Sequence, residues 1–250
     1  FGEEAQRKLQ SLEQRDIELD RLQQALRQVD ADLACCGQEL SAHRRKVIPK
    51  LGKAVARQLS DLGFQQSRFE VGISTESEIA HFKSQIPRSG FDTVEFQFAP
   101  NVGEPPRPLR AIASSGEMAR VMLALKTALA AEDEIPLLVF DEVDANVGGE
   151  TAHAVGEKMR QIARQHQVLC ITHLAPVAAC AETHYVVTKE VRAGRTLSEI
   201  RLLEAGERIT ELARMLGGQS DAARKHAVEL LRRRPQRAAV LARFACPSVP

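Results

Sequence analysis

Residues 137–149 read LLVFDEVDANVGG. Four apolar residues run directly into Asp141 and Glu142, a third carboxylate follows at Asp144, and two glycines close the stretch. The apolar run reads as a buried strand, and ligands of parallel α/β sheets collect at the carboxyl ends of strands. Asp141, the first polar residue after Phe140, could hold Mg²⁺ directly or through water, since Mg²⁺ prefers oxygen ligands and keeps several waters. Glu142 points the other way along the strand and is placed to polarise a water attacking phosphorus. Taken alone, the stretch is also what a strand meeting a polar loop looks like.

Two other stretches offer related chemistry. Downstream, the apolar run VLCIT ends in His173, which could hydrogen bond to a γ-phosphate from the same sheet edge. Upstream, SSGE opens a helical pattern, so Ser114, Ser115 and the amides around Gly116 would offer donors at a helix N-terminus, a natural anion site. The plainer readings are a structural histidine and an ordinary Ser/Gly helix cap.

The elements that must position these residues follow from periodicity. Leu12, Leu19, Leu26, Leu33 and Leu40 recur every seventh position, with Leu22, Val29 and Cys36 on a second seam. That a/d pattern, with charges between the seams, is a coiled-coil arm. Pro49 is expected to separate it from a further helical stretch carrying Leu51, Val55, Leu59 and Leu62, ended by Gly63 as a left-handed cap. RFEVGIS (68–74) and TVEFQFAP (93–100) alternate as strands do, and NVGEPPRPL (101–109) is a loop. A helix covers 114–132, with Met118, Val121, Met122, Leu125 and Leu129 on one face. Pro136 introduces the opening strand, 150–166 is helical, and 167–173 is a second continuous strand. HYVVTKE and TLSEIRLL form a hairpin about RAG, and helices follow at 207–218 and 221–231. Continuous apolar strands alternating with helices imply a parallel sheet covered on both faces, and the hairpins suggest that it is mixed. The organisation expected is an arm (1–60), an α/β lobe (61–231) and a basic, Pro-broken tail (232–250). The tail could touch DNA phosphates, although a solvated terminus is the plainer reading.

Composition excludes several classes. Aromatics make up 4% of the 250 residues, with no Trp and one Tyr, which argues against stacking platforms for single strands. Net charge is +1, so only local clusters could attract an anionic partner; Arg110, Arg120, Arg224, Lys225 and Arg232–Arg234 are candidates by charge. No apolar run approaches the roughly 20 residues of a membrane span, and no signal peptide opens the chain. The five cysteines, Cys35, Cys36, Cys170, Cys180 and Cys246, have no metal-ligand spacing and fit a reducing compartment. The chain opens at Phe1 inside a helical pattern and reads as a fragment whose N-terminal part is missing.

Ser-x-Gly-Glu opening a helix, then four apolar residues and Asp-Glu, then an apolar strand ending Thr-His, resembles the C-terminal half of an ABC-type ATPase head. The order is signature motif, Walker B, D-loop and switch histidine. With heptads directly upstream it resembles the SMC-like branch, and IASSGEMARVMLALK, VLCITHLAPVAACAETHYVVTKE and ITELARMLGG look like a bacterial DNA double-strand break repair family within it. The resemblance runs from residue 5 to residue 231.

The resemblance implies the fold class, the C-terminal lobe of a P-loop NTPase with an N-terminal coiled-coil helix. It implies ATP and Mg²⁺ as cofactors, with Asp141 at the metal and Glu142 and His173 catalytic. Ser114, Ser115, Gly116 and Glu117 would serve as the signature that meets the γ-phosphate on a second head. Asp144 and Asn146 would lie in the D-loop facing that head. It further implies a homodimer through the heads, double-stranded DNA as partner, roles in recombination and the SOS response, and a cytoplasmic, nucleoid-associated setting. Ser115 departs from the pattern, which usually has Gly there. A Cβ at a tight backbone–phosphate approach costs contact, which leaves a structural DNA-bridging protein with weak hydrolysis as the alternative. GxxxxGK[ST] does not occur; the nearest string, LGKA at 51–54, falls within a helix. In SMC-like heads the Walker A half comes from the other end of the coiled coil, so this chain by itself is not expected to bind ATP well.

Overall fold

A computed structural model of the chain describes residues 2–75, 89–112, 114–192 and 195–233. The chain forms two compact units, Phe1–Lys53 with Phe69–Gln97, and Ala54–Arg68 with Phe98–Pro250. The strands expected to open the α/β lobe therefore group with the arm. The basic tail, from residue 234 onward, lies outside the described residues.

One helix, α1, runs unbroken from Gly2 to Asp61. Pro49 was expected to divide it and does not: proline removes one i→i−4 hydrogen bond, and the neighbouring turns carry the helix through. The heptad stripe, including Leu12, Leu19, Leu22, Leu26 and Val29, is exposed along α1. In the first unit, α1 is accompanied by β1 (Arg68–Thr75) and β2 (Asp92–Ala99). Asp92 is buried there and accepts hydrogen bonds from Ser41 (2.8 Å), Thr75 (2.7 Å) and Arg44 (2.8 Å). Burial works against its charged form, but these three donors outweigh it and hold the carboxyl at about 2.

The second unit has its own core. Val55, Leu59 and Leu62 are buried, and Gly63, with φ of 91°, ends the helical run in the left-handed conformation expected. Phe64 packs edge-on against Phe98, with ring centroids 5.3 Å apart. Then come β3 (Arg107–Pro108), α2 (Ser115–Leu129), β4 (Leu137–Phe140), α3 (Gly149–Ile162) and β5 (Gln167–Cys170). They are followed by α4 (Ala175–Cys180), β6 (Tyr185–Arg192), β7 (Arg195–Leu202), α5 (Ala205–Met215) and α6 (Asp221–Arg232). Helix α4 had no counterpart in the sequence expectations. It belongs to a cluster in which Ala175, Ala178 and Ala179 meet Leu212, Ala213, Ala227 and Leu230 of α5 and α6.

Strands β4 and β5 pair in parallel, while β6 and β7 pair antiparallel as the expected hairpin. Among the described residues the two pairs form separate sheets, so the expected mixed sheet is not present. Nor are β4 and β5 covered on both faces. Leu138 and Phe140 are buried, whereas Leu137, Val139, Leu169 and Ile171 are all close to half exposed or more. The continuous apolar runs are those of a two-sided sheet, and among the described residues one side has no cover.

Candidate functional site

The parallel register of β4 and β5 builds the site. Phe140 lies opposite Cys170, and the Ile171 amide donates to the Phe140 carbonyl at 3.0 Å. Everything after these residues leaves the sheet at one edge, so Asp141–Asp144 emerge beside Thr172 and His173 although some 30 residues separate them in the chain.

The strand ends at Phe140, and both acids lie just beyond it in an irregular turn. Asp141 and Glu142 are exposed. The Glu142 amide donates to Asp141 Oδ1 at 2.9 Å, and Glu142 itself has φ of 57°. A left-handed backbone costs a side-chain-bearing residue roughly 1–2 kcal/mol, and it persists only where surroundings enforce it. Here the next residue, Val143, is fully buried and acts as the anchor. The turn continues with Ala145 N–H to the Glu142 carbonyl at 3.1 Å and Val147 N–H to the Asp144 carbonyl at 3.4 Å. Asn146 is the second left-handed residue, φ 59°, a conformation that Asn tolerates.

Of the two D-loop residues expected to face a second head, Asn146 is exposed and Asp144 is buried, at 2% exposure. The Asp144 carboxylate turns onto its own chain. It accepts a hydrogen bond from the Thr172 hydroxyl and another from the His173 amide at 3.2 Å. His173 Nδ1 lies 3.5 Å from the same oxygen, while the His173 side chain is 72% exposed. The histidine is thus anchored at its backbone and open at its ring. Thr172 completes the junction by accepting from the Leu174 amide at 3.0 Å, just before α4. Beside it, burial and then the charges of Asp144 and Asp141 push the Cys170 thiol up to about 12, which leaves it protonated and inert at neutral pH.

The third segment is the start of α2. Ser114 is its N-cap and accepts from the Glu117 amide at 3.3 Å. Ser115 is exposed and Gly116 is buried. Gly116 touches the turn after β4: a Cβ there would lie 3.0 Å from Ala145 Cβ and 3.1 Å from the Ala145 carbonyl oxygen. One helical turn on, Arg120 Nη1 donates to that same carbonyl at 3.0 Å. Arg120 was a DNA-contact candidate by charge, but it is 8% exposed and its guanidinium lies over the Phe64 ring, 5.0 Å from the centroid. Arg224 and Lys225 on α6 and Arg232 are exposed.

The fold therefore brings Asp141, Glu142, Asp144, Asn146, His173, Ser114 and Gly116 into one contiguous region. Asp141 and Glu142 are paired to no cation of this chain among the described residues, and Asp141 Oδ2 has no hydrogen-bond partner there. That donor set fits Mg²⁺, which needs one or two carboxylates and keeps its waters. Among the described residues no group of three or more His, Cys, Asp or Glu could cage a metal. Sequence reasoning placed Thr172 at the strand end but gave it no role, and it missed the buried role of Arg120. Both had a signal: a hydroxyl at the end of a strand, and an arginine four residues after Gly116, hence on the same helix face.

Relatives share this chain's sequence. It is 42% identical over 230 residues to "DNA repair protein RecN" of Treponema pallidum, covering 91% of this chain and 40% of the relative. To the protein of the same name in Deinococcus radiodurans it is 41% identical over 232 residues, covering 92% and 40%. The Bacillus subtilis counterpart is 34% identical over 246 residues, covering 94% and 43%. The chain thus spans about two-fifths of the length of these curated relatives. No protein-family profile matches it. Among solved structures, the Smc head domain with a coiled coil and joint from Pyrococcus yayanosii overlaps with a TM-score of 0.47 at 20% identity. That overlap covers 66% of this chain and 28% of that one and is too loose to bear on the chemistry.

Proposed function

From a chain that matches part of the RecN DNA repair proteins along most of its length, we propose the C-terminal portion of an SMC-like ATPase of DNA double-strand break repair. The Walker A half of the same protein completes it, and two heads join around ATP and Mg²⁺ in a cycle coupled to double-stranded DNA. The observation that carries this reading is the parallel β4–β5 register, which delivers Asp141, Glu142 and His173 to one sheet edge. Two features support it. The chain has no phosphate loop of its own, and Leu137, Val139, Leu169 and Ile171 leave an apolar sheet face open, the kind of surface a further protein layer covers. The exposed heptad stripe of α1 fits a second helix in the same way.

Each residue then has a part. The Asp141 carboxylate, with one oxygen engaged by the backbone, offers the other to the metal. Magnesium supplies charge neutralisation at the phosphates when bound. Glu142 presents a free carboxylate beyond the strand and accepts a proton from an ordered water, orienting that water's lone pair toward phosphorus. The exposed His173 imidazole reaches a phosphate oxygen while Asp144 holds its backbone. The amides opening α2, with the hydroxyls of Ser114 and Ser115, donate to a phosphate on the facing head, and Asn146 meets that head.

The test is Glu142→Gln in the complete protein. Turnover should fall by roughly 10²–10⁴-fold, the share a positioned base contributes, and ATP-bound head dimers should accumulate in size-exclusion chromatography with light scattering. Persistent turnover would remove Glu142 from the mechanism.

A further inference from the structure

Arg120 is costly where it sits. It is a cation at 8% exposure, its Nε is buried with no hydrogen-bond partner among the described residues, and burial, offset in part by Glu117, lowers its pKa. No carboxylate forms a salt bridge with it among the described residues. Its polar contact is one backbone carbonyl, Ala145 O, and its flat face rests on Phe64. A buried cation with no carboxylate partner carries a desolvation cost that one carbonyl and a ring face return only in part. Folding alone does not account for an arginine here, so its contribution must lie in what it holds.

It holds the middle of the turn after β4. Asp144, just before Ala145, is fixed through its side chain to Thr172 and the His173 amide. Asn146, just after, is left-handed. The Ala145 amide is bonded to the Glu142 carbonyl, so the residue whose carbonyl Arg120 grips is tied through its other peptide to Glu142. Gly116, on the same face of α2, lets the helix approach close enough for the grip. Phe64, bonded back to Leu59 at 3.0 Å, sets the plane of the guanidinium.

We propose that Arg120 is a positioning residue that, through the Ala145 carbonyl, sets where Glu142 and Asn146 sit at the site. The catalytic part of this inference rests on the ATPase reading; the structural part does not. The experiment compares Arg120→Met, which keeps length and packing but has no donor, with Arg120→Lys, which keeps a donor and the charge. Both are made in the complete protein alongside Glu142→Gln. The Met variant should melt at or above the parent temperature, yet lose about tenfold or more in kcat, as small displacements of reacting groups do. Its KM for ATP should stay within about twofold. Amide hydrogen exchange at Ala145 and Val147 should quicken in the Met variant, and the Lys variant should recover both properties. Parent-like kcat and exchange in the Met variant, a Lys variant no better than Met, or a Met variant that unfolds would each overturn the proposal. If Glu142→Gln turns over normally, the ATPase reading fails, and the exchange contrast between Met and Lys still decides the role of Arg120.

Discussion

The buried carboxylate of Asp144 accepts a hydrogen bond from the backbone amide of His173 at 3.2 Å, so the turn after one strand holds the end of the next. Asp144→Ala would leave both that amide and the Thr172 hydroxyl without their acceptor. An unsatisfied buried donor costs about 1–3 kcal/mol, and a loss of that order is expected in denaturant unfolding. Asp144→Asn keeps an acceptor oxygen and should lose less. Equal losses for the two variants would mean that the acceptor does not matter.

Gly116 predicts a steric effect. In Gly116→Ala the new methyl meets the Ala145 methyl and the Ala145 carbonyl at 3.0 and 3.1 Å. A backbone oxygen cannot swing aside as a side-chain tip can, so a cost of about 1–3 kcal/mol is expected. Adding Ala145→Gly removes one of the two collisions and should recover part of it. The double-mutant cycle measures that coupling, and strictly additive effects would place the two residues out of contact.

Glu142 should separate stability from activity. Its left-handed backbone costs about 1–2 kcal/mol for a residue with a Cβ, whereas glycine adds about 0.5–1 kcal/mol of chain entropy to the unfolded state. Glu142→Gly is therefore expected to match or exceed the parent in denaturant midpoint while the complete protein loses turnover. A clear drop in midpoint would show that the side chain contributes to folding.

His166 makes stability depend on pH. Its ring nitrogens face the backbone carbonyls of Ala130 at 2.9 Å and Ile135 at 2.8 Å. Only the protonated ring can donate to both. These two bonds raise its pKa above the ordinary 6.5 against the effect of burial; Asp133 assists and Lys126 opposes. Because the folded value exceeds the unfolded one, this stabilisation is complete below the unfolded pKa and is lost as pH rises through the folded one. Melting temperature should fall as pH rises above the ordinary histidine value of 6.5 more steeply in the parent than in His166→Gln. Identical slopes would rule the group out.

Much of the site was legible in the sequence because its signals are local. The N-cap at Ser114, the run into Asp141 and Glu142, and the strand ending in Thr172–His173 all depend on residues within a few positions of one another. Pro49 misled because a long helix absorbs one missing hydrogen bond. The sheet misled because an apolar run shows that a strand can be buried but not what covers it, and among the described residues one side of β4 and β5 is open. Arg120 looked like a surface cation because charge says nothing about which way a helix face turns.

The sequence by itself determined which chemical groups the protein has and in what order: a heptad arm, a capped helix start, paired acids and a terminal histidine. Only the tertiary structure decided which of them meet. The parallel register of β4 against β5 turned Asp144 inward to His173 and left Asp141 and Glu142 outside. The packing of α2 placed Gly116 and Arg120 against Ala145. These contacts join residues some 25–30 positions apart, and strand register and helix orientation are set by the shared core, which no local pattern encodes.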